Sequence, residues 1–304
     1  MGMTIGLVLA FTSAFGWAAA DALRKRLASS LSALELAVSL HWFQLPFLVF
    51  GLLIAHWLVP EHELSGLFQW RLEPGYWAWA APTFVLNAAA NLLFIRALQL
   101  SDLSLTIPYL SLTPVLAAFS GWVIVGEAPT TLGLVGVLVI GIGALVLNPG
   151  NAGRGLLSPF LALRKERGSW VMLGVACLWS VSIAFDKRAL LYASPLTHTM
   201  ILAFTGGIML EAYRRRNSGE SLRERVSQAP VLVVLTTGVI TGALLLQLAS
   251  YNYLHIAYVE AIKRSLGLVA SVLIGWWLFG ESSLVRRLAG VLVMALGVSL
   301  ILLG

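Results

Sequence analysis

Long apolar runs separated by short polar segments form the dominant pattern of this chain. An α-helix that crosses the hydrocarbon core of a bilayer needs about 20 residues, most of them apolar. Ten runs come close to this length: Met3–Ala20, Leu36–Leu58, Tyr76–Leu98, Leu103–Val125, Leu132–Leu147, Trp170–Phe185, Pro195–Leu210, Pro230–Tyr253, Ile256–Phe279 and Leu288–Leu303. Helices satisfy every backbone polar group within their own segment, as a membrane interior requires. The pattern therefore predicts an all-α membrane protein with ten transmembrane helices.

The amino-acid composition favours the same environment. Of the 304 residues, 59% are hydrophobic and only 11% are charged, whereas soluble domains carry about 25% charged residues. This excludes a water-soluble globule. The net charge of +6 is typical of cytoplasmic loops beside anionic lipid headgroups, so we expect membrane lipids and no nucleic acid among the partners. Because Cys177 is the only cysteine, disulfides and cysteine metal sites are excluded, and we predict no metal and no cofactor.

The two halves of the chain repeat one another. A Gly-Glu pair and two later glycines recur at a constant spacing of 154 positions. They are Gly126, Glu127, Gly136 and Gly143 in the first half, and Gly280, Glu281, Gly290 and Gly297 in the second. Near the start of each half, Trp17 precedes Lys25 by eight residues, as Trp179 precedes Lys187. The chain is therefore predicted to be one five-helix unit used twice.

A polar segment near the middle of the chain separates the two copies. We predict a first five-helix repeat over residues 1–148, a polar and basic connecting loop over 149–168, and a second repeat over 169–304. Because each copy contains an odd number of helices, the two copies enter the membrane in opposite orientations. Such inverted repeats are typical of secondary transporters, whose ligand lies near the bilayer midplane between the repeats.

The chain resembles the drug/metabolite transporter superfamily, and within it the two-repeat EamA branch. The resemblance is most specific at the end of each repeat, where an apolar fourth helix precedes Gly-Glu and a fifth helix with glycines seven residues apart. In the first repeat these residues are Pro108, Pro114, Gly126, Glu127, Gly136 and Gly143. The resemblance implies a ten-helix carrier or exporter of small metabolites that works by alternating access without ATP.

The recurring glycine positions have structural interpretations. We interpret each Gly-Glu pair as a tight interfacial turn with a capping carboxylate. The glycines seven residues apart return to one helix face, where they let two helix backbones approach closely. Pro46, Pro108 and Pro114 are candidates for kinks that free backbone carbonyls.

The ninth run carries a cluster of ionisable residues, which are costly inside membranes and are candidates for a functional site. Glu260, Lys263 and Arg264 share one helical face at spacings of three and four. One interpretation is an internal ion network that locks the helix. The other is that one carboxylate cannot neutralise two cations. The excess positive charge would then attract an anionic group, with Arg264 as a bidentate fork and Lys263 as a point charge.

Weaker candidates for contact with a transported solute lie in five other runs. They are polar side chains that could equally hydrogen-bond between helices, and aromatic side chains that could stack on a solute: His41, Asn87, Asn91, Tyr109, Ser111, Trp17 and Trp179. Candidates for proton coupling are the carboxylates Glu260, Asp21 and Asp186. Because Asp21 and Asp186 lie at helix ends beside basic residues, a surface ion pair is an equal alternative for both.

The positive charges predict an orientation. Of the 20 Lys and Arg residues, 15 lie in odd-numbered loops, three in even-numbered loops and two in the ninth helix. The positive-inside rule then places the odd loops in the cytoplasm and both termini outside. The family resemblance usually implies both termini inside, so this orientation is a departure. We expect a multi-pass protein of the plasma membrane (the bacterial inner membrane) that works as a monomer.

Three functions are compatible with these features. We favour a secondary transporter of a small solute, with Lys263 and Arg264 selecting an anionic group. The alternative within transport is an exporter of amino acids or other amphipathic metabolites with an aromatic-lined cavity, and the alternative class is a membrane scaffold subunit. We predict no enzyme, because His-Glu-x-x-His and Gly-x-Ser-x-Gly are both absent. The absence of a phosphate-binding loop likewise argues against ATP-driven transport.

Overall fold

The computed structural model of the chain describes residues 2–27, 31–58, 69–100, 107–147, 167–217, 222, 226–227, 229–279 and 284–303. Within these ranges the regular elements are helices, which confirms the prediction of an all-α protein. The α-helices are α1 (Gly2–Leu27), α2 (Ala33–Leu58), α3 (Tyr76–Leu100), α4 (Thr113–Ser120), α5 (Thr131–Leu147), α6 (Arg167–Ala189), α7 (Pro195–Asn217), α8 (Pro230–Ser250), α9 (Ile256–Phe279) and α10 (Leu284–Leu303).

Each apolar run of the sequence overlaps one of these helices. In the described part of the chain, four helical stretches have the length and composition to cross a membrane: Gly2–Arg24, Leu34–Ile54, Arg167–Ala189 and Pro230–Ser250. Shorter apolar helices cover Tyr109–Val125, Thr131–Gly143 and Leu292–Leu303. These helices make the chain a multi-pass membrane protein, and the number of ten spans stays a prediction.

The fourth run departs from the continuous α-helix that its apolar character predicts. A 3-10 helix at Ile107–Leu112 precedes α4, and a π-helical turn at Gly121–Val125 follows it. Pro114 lies in the first turn of α4, where its missing N–H costs nothing, so the regular α pattern starts there. The run ends at Gly126, whose φ of +86° is a left-handed conformation that glycine adopts without strain.

The helices form two compact units, and each unit draws on both halves of the chain. Unit 1 comprises Met1–Ala88 and Asp186–Tyr253, and unit 2 comprises Ala89–Phe185 and Leu254–Gly304. Helix α3 contributes its first half to unit 1 and its second half to unit 2. The predicted repeat boundaries divide the chain differently and stay a prediction.

In unit 1, α1 packs against α8 and α2 packs against α7. Leu27 at the end of α1 lies against Val233 near the start of α8, and Gly16 lies against Ala243 further along. The two helices therefore run antiparallel. The hydroxyl of Ser13 donates a hydrogen bond to the Ala243 carbonyl over 2.8 Å, which joins them at a buried point.

In unit 2, α5 packs along α10 and α4 packs against α9. A Cβ atom added to Gly136 would lie 2.6 Å from the carbonyl oxygen of Gly297, and one added to Gly143 would lie 3.0 Å from that of Gly290. The glycines therefore let the two backbones approach closely, which confirms their interpretation as packing residues. Because the earlier glycine of α5 meets the later glycine of α10, these helices run antiparallel.

The first Gly-Glu pair forms the predicted turn. The Glu127 carboxylate accepts a hydrogen bond from the backbone N–H of Ile256, the first residue of α9, over 3.3 Å. A carboxylate at a helix N-terminus satisfies an N–H group that has no partner inside the helix. The interpretation of a turn with a capping carboxylate is thus confirmed for the first copy, whereas Gly280 and Glu281 lie outside the described residues.

Candidate functional site

Helix α9 places the predicted anion site in unit 2. Glu260 is fully buried, and the side chain of Lys263, one turn later, is 19% exposed. The Lys263 ammonium donates a hydrogen bond to Glu260 Oε1 over 2.6 Å. Arg264 follows in the chain and is partly buried. This face of α9 therefore holds the ion pair that one interpretation predicted, next to the second cation on which the other interpretation depends.

Trp17, predicted to stack on a solute, is held by polar partners of α8 in unit 1. Its indole N–H donates a hydrogen bond to Gln247 Oε1 over 2.6 Å, and the Gln247 amide donates to the Tyr251 hydroxyl over 2.6 Å. The Arg24 guanidinium lies 5.4 Å from the centre of the Trp17 ring. These partners fix the orientation of the indole. A solute that stacks on Trp17 would therefore meet a ring that is already held in place.

The aromatic candidates of unit 2 lie where α3 meets α6. The Trp179 ring centre is 5.6 Å from that of Phe94, with the two planes tilted by 38°. Tyr109 is 2% exposed among apolar residues such as Met172, and its hydroxyl hydrogen-bonds Ser169. Packing thus accounts for much of the surface of Trp179 and Tyr109.

The remaining polar candidates are spread over both units. His41 has Nδ1 2.7 Å from the Ala37 carbonyl, and its ring packs against Gly206 of α7 in unit 1. Ser111 is buried in unit 2. Asn87 and Asn91 are partly buried on α3, where the first belongs to unit 1 and the second to unit 2. Their contact with a solute stays a prediction.

The two aspartates proposed for proton coupling have opposite environments. Asp21 forms an ion pair with Arg24 at 3.3 Å, and its side chain is 67% exposed. This is the surface pair that was the alternative prediction. The Asp186 side chain is only 9% exposed, although it also lies near a helix end beside basic residues.

Asp186 belongs to a buried hydrogen-bonded chain of four side chains in unit 1. Its Oδ1 accepts a hydrogen bond from the Thr83 hydroxyl over 2.5 Å and lies 3.1 Å from His198 Nε2. The other imidazole nitrogen, Nδ1, lies 2.9 Å from the Tyr76 hydroxyl. Thr83, His198 and Tyr76 are all fully buried. Helices α3, α6 and α7 each contribute to this chain, which we call the Asp186 network.

Sequence reasoning missed three members of the Asp186 network: Thr83, His198 and Tyr76. A signal for His198 was present, because it is the one ionisable residue in the apolar run Pro195–Leu210, and ionisable residues in such runs are functional candidates. Nothing in the spacing of Thr83 or Tyr76 indicated that either would meet Asp186.

The segments that lead into α3 and α7 meet beside the Asp186 network. Leu72 and Ala193 form an isolated β-bridge. The Arg71 guanidinium donates hydrogen bonds to the carbonyls of Leu190 and Ala193 over 2.8 and 3.1 Å, and it lies 3.5 Å from the Glu73 carboxylate. These contacts hold the short connection between α6 and α7. Asp186 lies near the end of α6 before it, and His198 lies in the first turn of α7 after it.

Comparison with known proteins agrees with this fold. The chain matches the family model described as the EamA-like transporter family over residues 4–148 and 166–303. A search of curated proteins found no match. One solved structure, described only as "Crystal structure of protein", is similar with a TM-score of 0.72 at 14% identity, covering 97% of this chain and 95% of that chain. That likeness shows the fold alone, whereas the family match spans both halves. The chain belongs to the EamA-like transporter family, and it is a membrane transporter of small solutes.

Proposed function

We propose that the protein is a secondary transporter with ten membrane-spanning helices in two inverted five-helix repeats, and that it works by alternating access. The observation that carries this proposal is the antiparallel packing of α5 and α10. Gly136 contacts Gly297, and Gly143 contacts Gly290. In the repeat, Gly136 corresponds to Gly290 and Gly143 to Gly297, so the two contacts are related by exchange of the repeats. Equivalent helices that run antiparallel are what inverted repeats require.

Contacts between loops support ten crossings. In unit 1, the loop before α3 bridges to the loop before α7 through Leu72 and Ala193. Also in unit 1, Leu31 after α1 packs near Ala229 before α8. In unit 2, Glu127 after α4 reaches the start of α9. Each contact joins two even-numbered or two odd-numbered loops, which lie on the same side of the membrane if every helix crosses it.

The α9 cluster favours a solute with an anionic group. Glu260 is fully buried and pairs with Lys263, and Arg264 adds a second cation to this helix face. A guanidinium such as Arg264 can hold a carboxylate or phosphate through two hydrogen bonds, and the ammonium of Lys263 beside it adds a point charge. We therefore place Lys263 and Arg264 in the substrate site, with Glu260 as the residue that positions Lys263.

Ligand-induced stabilisation and exchange in proteoliposomes test this proposal. Purified protein is first screened by thermal shift against phosphate, sulfate, carboxylates and amino acids, since a ligand that binds the folded state raises its stability. We expect anions to stabilise the protein. Lys263→Gln and Arg264→Gln should each weaken anion binding by about tenfold or more, as expected for a lost charge-assisted hydrogen bond.

Arg216→Gln is the matched control, because Arg216 is an exposed arginine at the end of α7. Anion binding that survives both α9 substitutions would contradict the anion site. Stabilisation by amino acids that is insensitive to both substitutions would instead favour the exporter with an aromatic-lined cavity. Failure of every purified preparation to bind or exchange any of these solutes would favour a scaffold subunit.

The plasma membrane, with both termini outside, is the location we propose. The support is the excess of Lys and Arg in the odd-numbered loops and the helix ends beside them, where 15 residues lie against three for the even-numbered loops. Activity as a monomer remains part of the same proposal.

A further inference from the structure

We infer that Asp186 and His198 form a proton-binding site, through which a proton gradient drives solute movement. This inference rests on the proposed transporter function and adds the coupling ion and the residues that bind it. It is carried by the buried Asp186 network, in which a carboxylate and an imidazole share one hydrogen bond inside unit 1. Buried ionisable groups in membrane helices are expensive to maintain, so a pair of them needs an explanation beyond packing.

The geometry assigns the hydrogens of the network. When Asp186 is ionised, its Oδ1 accepts a hydrogen bond from the Thr83 hydroxyl and a second one from His198 Nε2, which must then carry a hydrogen. In the neutral imidazole, Nδ1 is then an acceptor, and the Tyr76 hydroxyl donates to it over 2.9 Å. Nδ1 is therefore the atom that takes up a proton.

Proton uptake leaves every heavy atom of the network in place. A proton from the aqueous phase binds His198 Nδ1, which changes from acceptor to donor. The Tyr76 hydroxyl rotates and its oxygen accepts the new N–H. With Asp186 ionised, the charge of the pair changes from −1 to zero, and release of the same proton to water reverses the step.

Other charged groups lie on the segments that pack against the pair. Lys187 and Arg188 follow Asp186 on α6, and the Arg188 guanidinium lies 5.2 Å from the centre of the Trp79 ring of α3. Before α3, Arg71 binds backbone carbonyls of the α6–α7 junction and pairs with Glu73. These groups set the local field, whereas the imidazole nitrogens themselves contact Asp186 and Tyr76.

Burial links proton binding to conformation. A net negative pair is costly away from water, whereas the protonated pair is neutral overall. Protonation therefore stabilises the conformation in which the network is buried, and proton loss favours one in which Asp186 reaches water. The first repeat offers an internal comparison, because Asp21 also follows a tryptophan by a few residues but is exposed and paired with Arg24.

Nuclear magnetic resonance of the full chain in lipid nanodiscs tests proton binding without any solute. The protein carries ¹⁵N-labelled histidine, and His198→Gln assigns the signal. As the pH of the sample is lowered stepwise, Nδ1 of His198 should change from acceptor to protonated nitrogen. Asp186→Asn should abolish the change, because the imidazolium loses its counter-charge. A His198 signal that stays unchanged in the wild type would overturn the inference.

Two control variants separate charge from packing. Asp21→Asn removes the exposed aspartate of the first repeat and should leave the His198 signal as in the wild type. Thr83→Val removes a hydrogen bond of the same network but no charge, so proton uptake should persist. If Thr83→Val abolishes uptake as Asp186→Asn does, the network acts only as a structural clamp.

Proteoliposomes separate coupling from transport itself. The probes are radiolabelled sulfate, whose charge is constant in this pH range, and a mixture of radiolabelled amino acids in parallel vesicles. Exchange of labelled for unlabelled probe at equal pH tests the transporter alone. With the membrane potential clamped at zero, a gradient of one pH unit should accumulate an exchanged probe about tenfold if one proton moves per solute.

Asp186→Asn should keep exchange but reduce the accumulation ratio to about one, since neutralisation removes the proton-linked step. Accumulation at the wild-type ratio in Asp186→Asn would overturn the inference while the transporter stands. No exchange of either probe by the wild type would count against the proposed function, and the resonance measurement would still decide whether the pair binds a proton.

Discussion

Three carboxylates of this chain have three different cationic or cation-forming partners. Asp186 faces the His198 imidazole, Glu260 accepts from an ammonium, and Glu211 accepts from two guanidinium groups. An imidazole gains or loses its charge near neutral pH, whereas ammonium and guanidinium groups stay charged. The Asp186 pair is therefore the one of these three whose partner can become a cation by binding a proton.

Glu211 gives a prediction for stability against acid. It lies just beyond the apolar part of α7, where Arg214 donates to its Oε2 over 2.8 Å and Arg215 to its Oε1 over 2.6 Å. The hydrogen bond from Arg214 holds the pKa of Glu211 below its usual value, against the opposing effect of burial. A carboxyl with a lowered folded-state pKa adds stability above its unfolded-state pKa of about 4.3, and this is lost as the pH falls through the folded-state pKa.

Thermal unfolding of wild type and Glu211→Gln at several pH values measures this contribution. The variant should be less stable near neutral pH, and the difference should shrink as the pH falls below about 4.3. Arg214→Gln should reproduce most of the loss, whereas Arg215→Gln should have less effect because that side chain is 74% exposed. A difference between wild type and Glu211→Gln that stays constant with pH would contradict the assignment.

Sequence alone predicts which ionisable residues lie in apolar runs, but not which of them meet. Glu260 and Lys263 are three residues apart, so the helical repeat was enough to place them together. Thr83 and Asp186 are 103 positions apart, and Tyr76 and His198 are 122 apart. Such contacts depend on how helices pack, which the pattern of one chain does not encode locally. The Asp186 network therefore required the structure.

At the level of elements, the glycines of α5 and α10 decide how closely the two helices pack. A Cβ on Gly136 would lie 2.6 Å from the carbonyl oxygen of Gly297. Because this neighbour is a backbone atom, a change of side-chain rotamer cannot relieve the clash. Gly136→Ala should therefore push the backbones apart and destabilise the protein by about 1–3 kcal/mol, the usual cost of overpacking. Thermal unfolding in detergent measures this difference.

Gly141→Ala is the matched control on the same helix. A Cβ at Gly141 has its nearest neighbour, a methyl carbon of Val115, at an ordinary 3.7 Å. This variant should be as stable as the wild type or slightly more stable, because alanine favours the helix. Equal loss of stability in Gly136→Ala and Gly141→Ala would mean that the close contact of Gly136 with α10 does not determine the effect.

The positions of the helices were predictable, since every apolar run overlaps one, but α1 and α7 continue seven residues past the ends of their runs into basic residues. The exception is the fourth run, whose 3-10 and π-helical ends an apolar count does not reveal. Apolar character reports burial or lipid contact, but the hydrogen-bond pattern of a helix also depends on proline and on the packing of its neighbours. Pro114 was visible in the sequence, and its effect on the start of α4 was not.

For the whole molecule, the sequence yields a prediction of orientation but none of how the helices group in space. Loop charge is additive along the chain, so a count of Lys and Arg predicts a topology without any knowledge of contacts. The grouping of helices is different, because unit 1 and unit 2 each combine segments from both halves of the chain. Repeats that are contiguous in sequence need not be compact in space, and only the structure reveals how they are divided.

The predicted topology is testable with two exposed positions that lie in the described part of the chain. Glu73 precedes α3 in an even-numbered loop, and Arg216 ends α7 beside an odd-numbered loop. Five predicted spans separate them, so they lie on opposite sides of the membrane if every helix crosses. In a Cys177→Ser background, intact cells are treated with a membrane-impermeant maleimide. Glu73→Cys should be labelled from outside and Arg216→Cys only after the cells are opened. The reverse pattern would place both termini inside, as is usual for the family, while labelling of both positions from one side would contradict the ten-helix arrangement itself.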